Sequence, residues 1–525
     1  MRKTLFLLLF AALALAASRA GAETVYRRGA PGEPATLDPQ KSSTVVEADV
    51  LYDLFEGLVT YDAEGRIVPG VAASWETSAD GIVWTFALRE ALWSDGSPVT
   101  ADDFVYAFRR LLAPATGAQY ANLFYALKNG EAVNAGKAPP EALGVTAQGE
   151  RTLRIELERP TPYMLGLLAH QTAAPVNRRN IERDGEAFIR PGRLVSNGAY
   201  TLAEFAPNDR IMLARNPNFH DAKSVAVDKE IVLPIEDRGA AVRRFAAGEI
   251  DSYSDAPADQ IPYLRERFGA EFHLTPSLGV FYFSFDTRRA PFSDARIRNA
   301  LSMTVDREFL ADKIWGGAML PAYGLVPPGI ANYGPPVLPG FAALTAPRAD
   351  YEAKRLLAEA GYGPQHPLDV EMRFNTSENN KATAVALTAM WKPLGVRTRL
   401  VNTDVKTHYF WLRSGAPYDL ARAGWLADYS DPQNFLFLGK GDNAGLNYAH
   451  WADPVFDAQL ARAERQTNLD ERAKTLAAAE ARLLDQQPFL PLLFYSSKNL
   501  VSARVHGWRE NLLDRHLTRY LRLER

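Results

Sequence analysis

The sequence predicts an α/β chain folded into two or more lobes, and three observations carry that expectation. Segments with a two-residue apolar period alternate along the chain with segments of helical period. The length, 525 residues, is more than one hydrophobic core usually fills. The composition, 47% hydrophobic and 23% charged, is that of a globular protein and argues against disorder or coiled coil.

The elements follow in chain order. Met1-Arg2-Lys3, the apolar run LFLLLFAALALAA (5–17) and the small residues Ala20 and Ala22 have the anatomy of a cleaved export signal, with cleavage expected after Ala22. Thirteen apolar residues are short for a membrane span, and no later segment is longer. Removing residues 1–22 takes away Arg2, Lys3 and Arg19, so the net charge moves from −3 to −6. TADDFVYAFRRLL (100–112) opens with Thr100 and Asp103 as a capping-box start, then places Phe104, Ala107, Phe108 and Leu111 on one helical face. TLRIELE (152–158) alternates as a strand, and VFYFSFD (280–286) is aromatic enough for a buried one. LVPPGIANYGPPVLPG (325–340) is too rich in proline for regular structure and reads as a packed or functional loop. A helix over 350–361 ends at Gly361, and LDVEMRF (368–374) returns to strand periodicity. Residues 469–485 form another helix, stopped before Pro488, and PFLPLLFYS follows as a strand.

Composition also removes function classes. A chain without cysteine has no disulfide, thiolate nucleophile or cysteine-ligated metal. No basic run with interleaved aromatics points to nucleic acid. The nucleophile elbow, the zinc-protease motif and the phosphate loop are all missing, and GKGDNAG (439–445) has the wrong glycine spacing for a dinucleotide site. The eight histidines show no i,i+4 pair. No catalytic residue, metal or cofactor is therefore expected.

One stretch remains to be explained. ARAGWLADYSDPQNF (421–435) places Arg422, Asp428 and Asp431 among small and apolar residues. Asp431 precedes Pro432 and reads as a turn starter. Asp428 loses hydration among such neighbours and needs a cation, either Arg422 in a structural ion pair or a group brought by a ligand. An exported hydrolase using Asp428 and Asp431 is the remote alternative.

The same stretch resembles the ARAGW-x-ADY-x-x-P segment of the periplasmic oligopeptide-binding proteins, in the peptide/nickel solute-binding family that feeds ABC importers. LDP (37–39), LFEGL (54–58), WTFALR (84–89), WSDGSPVTADDFVYAFRRL (93–111), SNGAYTL (196–202), RNPNF (215–219) and MLPAYG (319–324) match other blocks of that family in order. The resemblance implies a bilobal periplasmic-binding-protein fold, type II-like and of cluster C, with an additional domain and a ligand cleft between lobes. The expected division is 23–53, 175–278 and 496–525 for one lobe, 279–495 for the other, and 54–174 for the added domain. It implies a periplasmic monomer that captures peptides and hands them to ABC permease subunits. A murein tripeptide, nickel complex, opine or sugar is the alternative cargo on the same fold.

The family's site residues carry over by position. Asp428 falls on the aspartate that meets the ligand's α-ammonium, and Arg422 on an arginine that meets the carboxylate of some ligands. Gly424 and Leu426 would offer main-chain groups, with Trp425 as a pocket wall. Tyr120 and Tyr495 match residues near the ligand N-terminus, Tyr282 a cleft-lining strand residue, Arg413 a second cleft arginine, and Asn375 a further contact. Three departures stand out. Leu426 and Gly279 occupy the positions of a common disulfide, the region of Ser43 lacks a ligand-contacting glutamate, and the region of Asn380 lacks a carboxylate-binding histidine.

Overall fold

The computed structural model describes residues 23–443 and 445–524; the expected export signal lies outside them. An eleven-stranded sheet runs through the molecule. Its order is Val396–Thr403, Leu368–Asn375, Leu420–Leu426, Phe272–Phe285, Phe489–Val501, Ser252–Ser254, Val25–Ala30, Lys229–Pro234, Arg210–Arg215 and Tyr200–Ala206, with Leu320–Pro321 pairing beside this path. Leu368–Asn375 and Val396–Thr403 are parallel and joined through the helix Glu378–Trp391, the crossover that parallel pairing requires.

Two long antiparallel strands, Phe272–Phe285 and Phe489–Val501, tie the halves of this sheet together. They pair in two stretches, Phe272 to Pro276 with Leu500 to Ser496, and Val280 to Ser284 with Phe494 to Phe489. Between them Ser277, Leu278 and Gly279 face Tyr495 alone, so the ladder is interrupted. Leu278 donates its N–H instead to Leu512, at 2.9 Å. The pairing of these two strands is thus interrupted at Ser277–Gly279, where Leu278 takes its partners from elsewhere.

A second, four-stranded antiparallel sheet, Ala72–Thr77, Val83–Leu88, Thr152–Glu156 and Val145–Ala147, lies wholly within residues 54–174. The 152–158 strand ends early because Leu157 leaves the sheet to bridge Leu127. Thr100 and Asp103 form the predicted capping box on Ala101–Leu112, whose apolar face is buried. The helix predicted over 350–361 starts earlier, as Ala346–Glu359, because Pro347 needs no N–H partner in a first turn. Residues 325–339 carry no regular element, a short 3-10 helix Gly340–Ala343 follows, and the loop is anchored at its start: Glu480 accepts the N–H groups of Leu325 and Val326, both at 2.9 Å.

Candidate ligand-binding cleft

Strand Leu420–Leu426 pairs antiparallel with Phe272–Phe285, setting Arg422 opposite Phe283, Gly424 opposite Phe281 and Leu426 opposite Gly279. Alternation along the strand sends Ala421 and Ala423 into one apolar core, while the Arg422 guanidinium lies 4.7 Å from the Phe281 ring on the other face. Arg422 donates to Asn375 at 3.2 Å, to the Tyr409 hydroxyl at 3.0 Å and to the Tyr495 hydroxyl at 2.8 Å. Its Nε is buried without an acceptor, and no carboxylate pairs with it among the described residues. A permanent positive charge is therefore held in place by neutral groups. Gly424 permits this, since a Cβ there would lie 2.6 Å from the Tyr495 hydroxyl.

Beyond the strand end the chain turns. Ala427 donates to the Leu278 carbonyl at 2.8 Å, and the Asn434 side-chain oxygen accepts from the Asp428 N–H at 3.1 Å and the Trp425 indole at 3.0 Å. The Asp428 carboxylate is half-buried and no basic residue forms an ion pair with it among the described residues. Burial pushes its pKa up to about 6; hydrogen bonding from Asn434 and Tyr120 and the charge of Arg515 pull the other way. The structural ion pair with Arg422 is not formed: the two charges sit at separate places, and neither has an ion-pair partner among the described residues. The pKa of Tyr120 is raised by burial and by the Asp428 charge beside it.

Asp431 has the opposite fate. Arg472 grips it with two bonds of 2.7 Å, both side chains are 1% exposed, and its Oδ1 also caps the Gln433 N–H at 2.9 Å. It is thus spent on structure, and Asp428 and Asp431 do not present a pair of free carboxylates. Removing one partner of such a buried pair strands the other charge. Arg472→Leu is expected to lower the unfolding free energy by about 3–5 kcal/mol in denaturant melts.

A cavity of about 780 Å³ opens beside these groups, within the size range of small-ligand sites. It is lined by Asn375, Arg422, Leu426, Tyr495, Lys498 and Arg515 among others, and by Ala427, the neighbour of Asp428. Leu426 is 55% exposed into this space. Its side chain covers Gly279, where a Cβ would come within 2.6 Å of it, so the two positions do face each other as a disulfide pair would. Asn380 is buried and donates to Asn375 at 3.2 Å, placing a neutral amide where a histidine was missing. Ser43 donates its backbone N–H to Glu47.

Not every expected residue arrives there. Tyr282 is 0% exposed in the core, packed on Phe489, and does not reach the cavity. Arg413 is exposed at the end of the helix Val405–Arg413, next to the Tyr448 hydroxyl. Trp425 is half-buried with its ring 5.2 Å from that of Phe437. Tyr495 does line the cavity, where its hydroxyl accepts from Arg422 at 2.8 Å. Tyr409, Asn434, Lys498 and Arg515 escaped sequence reasoning. Tyr409 carries no local signal at all, since only the packing of its helix brings it to Arg422.

Comparison with known proteins places this geometry. The family model "Bacterial extracellular solute-binding proteins, family 5 Middle" matches residues 66–446. The periplasmic murein peptide-binding protein MppA of Escherichia coli is 38% identical over 484 residues, 91% of this chain and 89% of that protein. The periplasmic oligopeptide-binding protein OppA of the same organism is 37% identical over 493 residues, covering 93% and 90%. The solved structure of the MppA murein tripeptide-binding protein in its unliganded open form superposes with a TM-score of 0.85 at 36% identity, over 96% of this chain and 98% of that one.

Proposed function

The chain belongs to the bacterial extracellular solute-binding proteins of family 5, and on that premise we propose that it is a periplasmic receptor that binds peptides without turning them over and delivers them to an ABC importer. The observation that carries this reading is that Arg422 lines the cavity and Asp428 directly follows Ala427 in its wall, neither charge having an ion-pair partner among the described residues. A peptide brings an ammonium at one end and a carboxylate at the other, and charge-assisted hydrogen bonds to both fix its direction. Between the ends, recognition rests on the ligand main chain, with Gly424 and Leu426 supplying backbone groups.

On this reading the lobes are residues 23–53, 175–278 and 496–525 on one side and 279–495 on the other, with 54–174 as the added domain. They close on the ligand about the interrupted stretch at Ser277–Gly279 and Tyr495, in a hinge motion that contacts made only in the closed state stabilise. The protein acts as a monomer toward its permease subunits. The murein tripeptide reported for one relative belongs to that relative.

The test is native mass spectrometry of the protein taken from its own periplasm, followed by incubation with the cargo it releases. Intact peptides bound at one per chain support the reading, and shortened products contradict it. Acidity supplies a second check. Because the free-state pKa of Asp428 is about 6, affinity for a free-amine tripeptide should fall about 10-fold from pH 7.5 to pH 5. An N-acetylated tripeptide should show no such fall.

A further inference from the structure

Four cationic side chains line the cavity: Arg238, Arg422, Lys498 and Arg515. Arg238 is clamped by Asp255 with bonds of 2.9 and 2.6 Å. Arg515 lies 3.5 Å from Asp49 and against the Tyr52 ring. Arg422 is assigned above to the ligand carboxylate. Lys498 is left over. Its Nζ donates to the Ser496 carbonyl at 3.2 Å and has no ion pair among the described residues.

The acids around Lys498 are committed elsewhere. Asp255 spends Oδ2 on both Arg238 bonds, and Asp514 spends Oδ1 on His516 at 2.9 Å and Asn499 at 2.8 Å. Asp259 and Glu378, the other cavity acids, are exposed and form no ion pair with it. The lysine is also firmly placed. Its carbonyl accepts the N–H groups of Asp255 at 3.1 Å and Ala256 at 2.9 Å, and Leu274 pairs opposite it. Asp255 adopts φ of 81°, a costly left-handed conformation for a residue with a side chain, in the wall that holds this corner. Burial lowers the Lys498 pKa and the Arg238 charge adds to this, while Asp255 and Asp514 offset it only in part and neither forms an ion pair with it.

Resting on the peptide reading above, we propose that Lys498 is a specificity-determining residue that receives a second ligand carboxylate, from an acidic side chain or from the terminus of a longer peptide. Tyr495, which holds Arg422, precedes Lys498 by three residues on one strand, about 10 Å of extended chain. That is also the reach of three residues of an extended ligand. Asp428, Arg422 and Lys498 together complement a ligand with one ammonium and two carboxylates. The cleft therefore selects acidic peptides over neutral or basic ones.

Calorimetry with the full mature protein tests this, using trialanine with Glu or Gln placed at each position in turn and pentaalanine as acid or amide. Glu should be preferred over Gln by about 10-fold at one position, the scale of a charge-assisted contact. Lys498→Met should cut that preference below about 2-fold while leaving the Gln peptide's affinity unchanged, which also shows that the variant is folded. A preference for acid over amide in pentaalanine, erased by the same variant, supports the role with a chain terminus as the carboxylate. Equal affinities across all pairs, or preferences untouched by Lys498→Met, overturn it and leave peptide binding standing. Failure of every peptide to bind overturns the peptide reading and this inference with it.

Discussion

Asp428→Asn should weaken binding of a free-amine tripeptide by about 100-fold and at the same time make the ligand-free protein more stable. The first effect follows from removing one partner of a desolvated charge pair, which costs about 2–5 kcal/mol where such pairs have been cut. The second follows from the sign of the pKa shift. Asp428 titrates near 6 in the folded protein, above its ordinary value. The folded state therefore binds the proton more tightly than the unfolded chain, and stability falls as pH rises from about 4 to 6. An amide removes that penalty. Because the group is only partly buried, solvent screening limits the gain to about 1 kcal/mol. Thermal melts at pH 7.5 should show a higher midpoint for the variant without ligand, and calorimetry should show the lost affinity. A drop in both would mean that Asp428 holds the fold together.

Arg422→Met is the second large effect expected. Affinity for a tripeptide with a free carboxylate should fall by about 100-fold, whereas its C-terminal amide should lose about 3-fold or less. The amide is the informative arm. The variant also removes the donors to Asn375, Tyr409 and Tyr495, and simple collapse of that corner would depress both ligands alike. Gly424 makes the corner sensitive to shape as well as charge, given the 2.6 Å approach a Cβ there would make.

The strands and helices that frame the cleft were legible because their periodicities are unambiguous, as in LDVEMRF, or because caps mark their ends, as at Thr100 and Asp103. The charged stretch at 421–435 could be singled out because ions among small and apolar residues demand a partner. What that partner is could not be read locally. Arg422 is six residues from Asp428, yet strand direction carries it away to Tyr495, while Asp431 finds Arg472 forty-one residues on. Tyr282 illustrates a different limit. VFYFSFD is aromatic on both faces, so its alternation does not reveal which residues face the cleft. Phe281 turns out to underlie Arg422 and Tyr282 points into the core. Lys498 had no motif to flag it; only the commitment of Asp255 to Arg238 and of Asp514 to His516 and Asn499 exposes its charge.

A double cycle combining N-acetylation of one tripeptide with Asp428→Asn, read by calorimetry at pH 7.5, bears most directly on how the ligand is recognised. Acetylation should cost about 100-fold in the parent protein and less than about 3-fold in the variant, because the ammonium then has no carboxylate to lose. Equal acetylation penalties in both proteins would contradict the assignment of Asp428 as the group that receives the peptide's amino end.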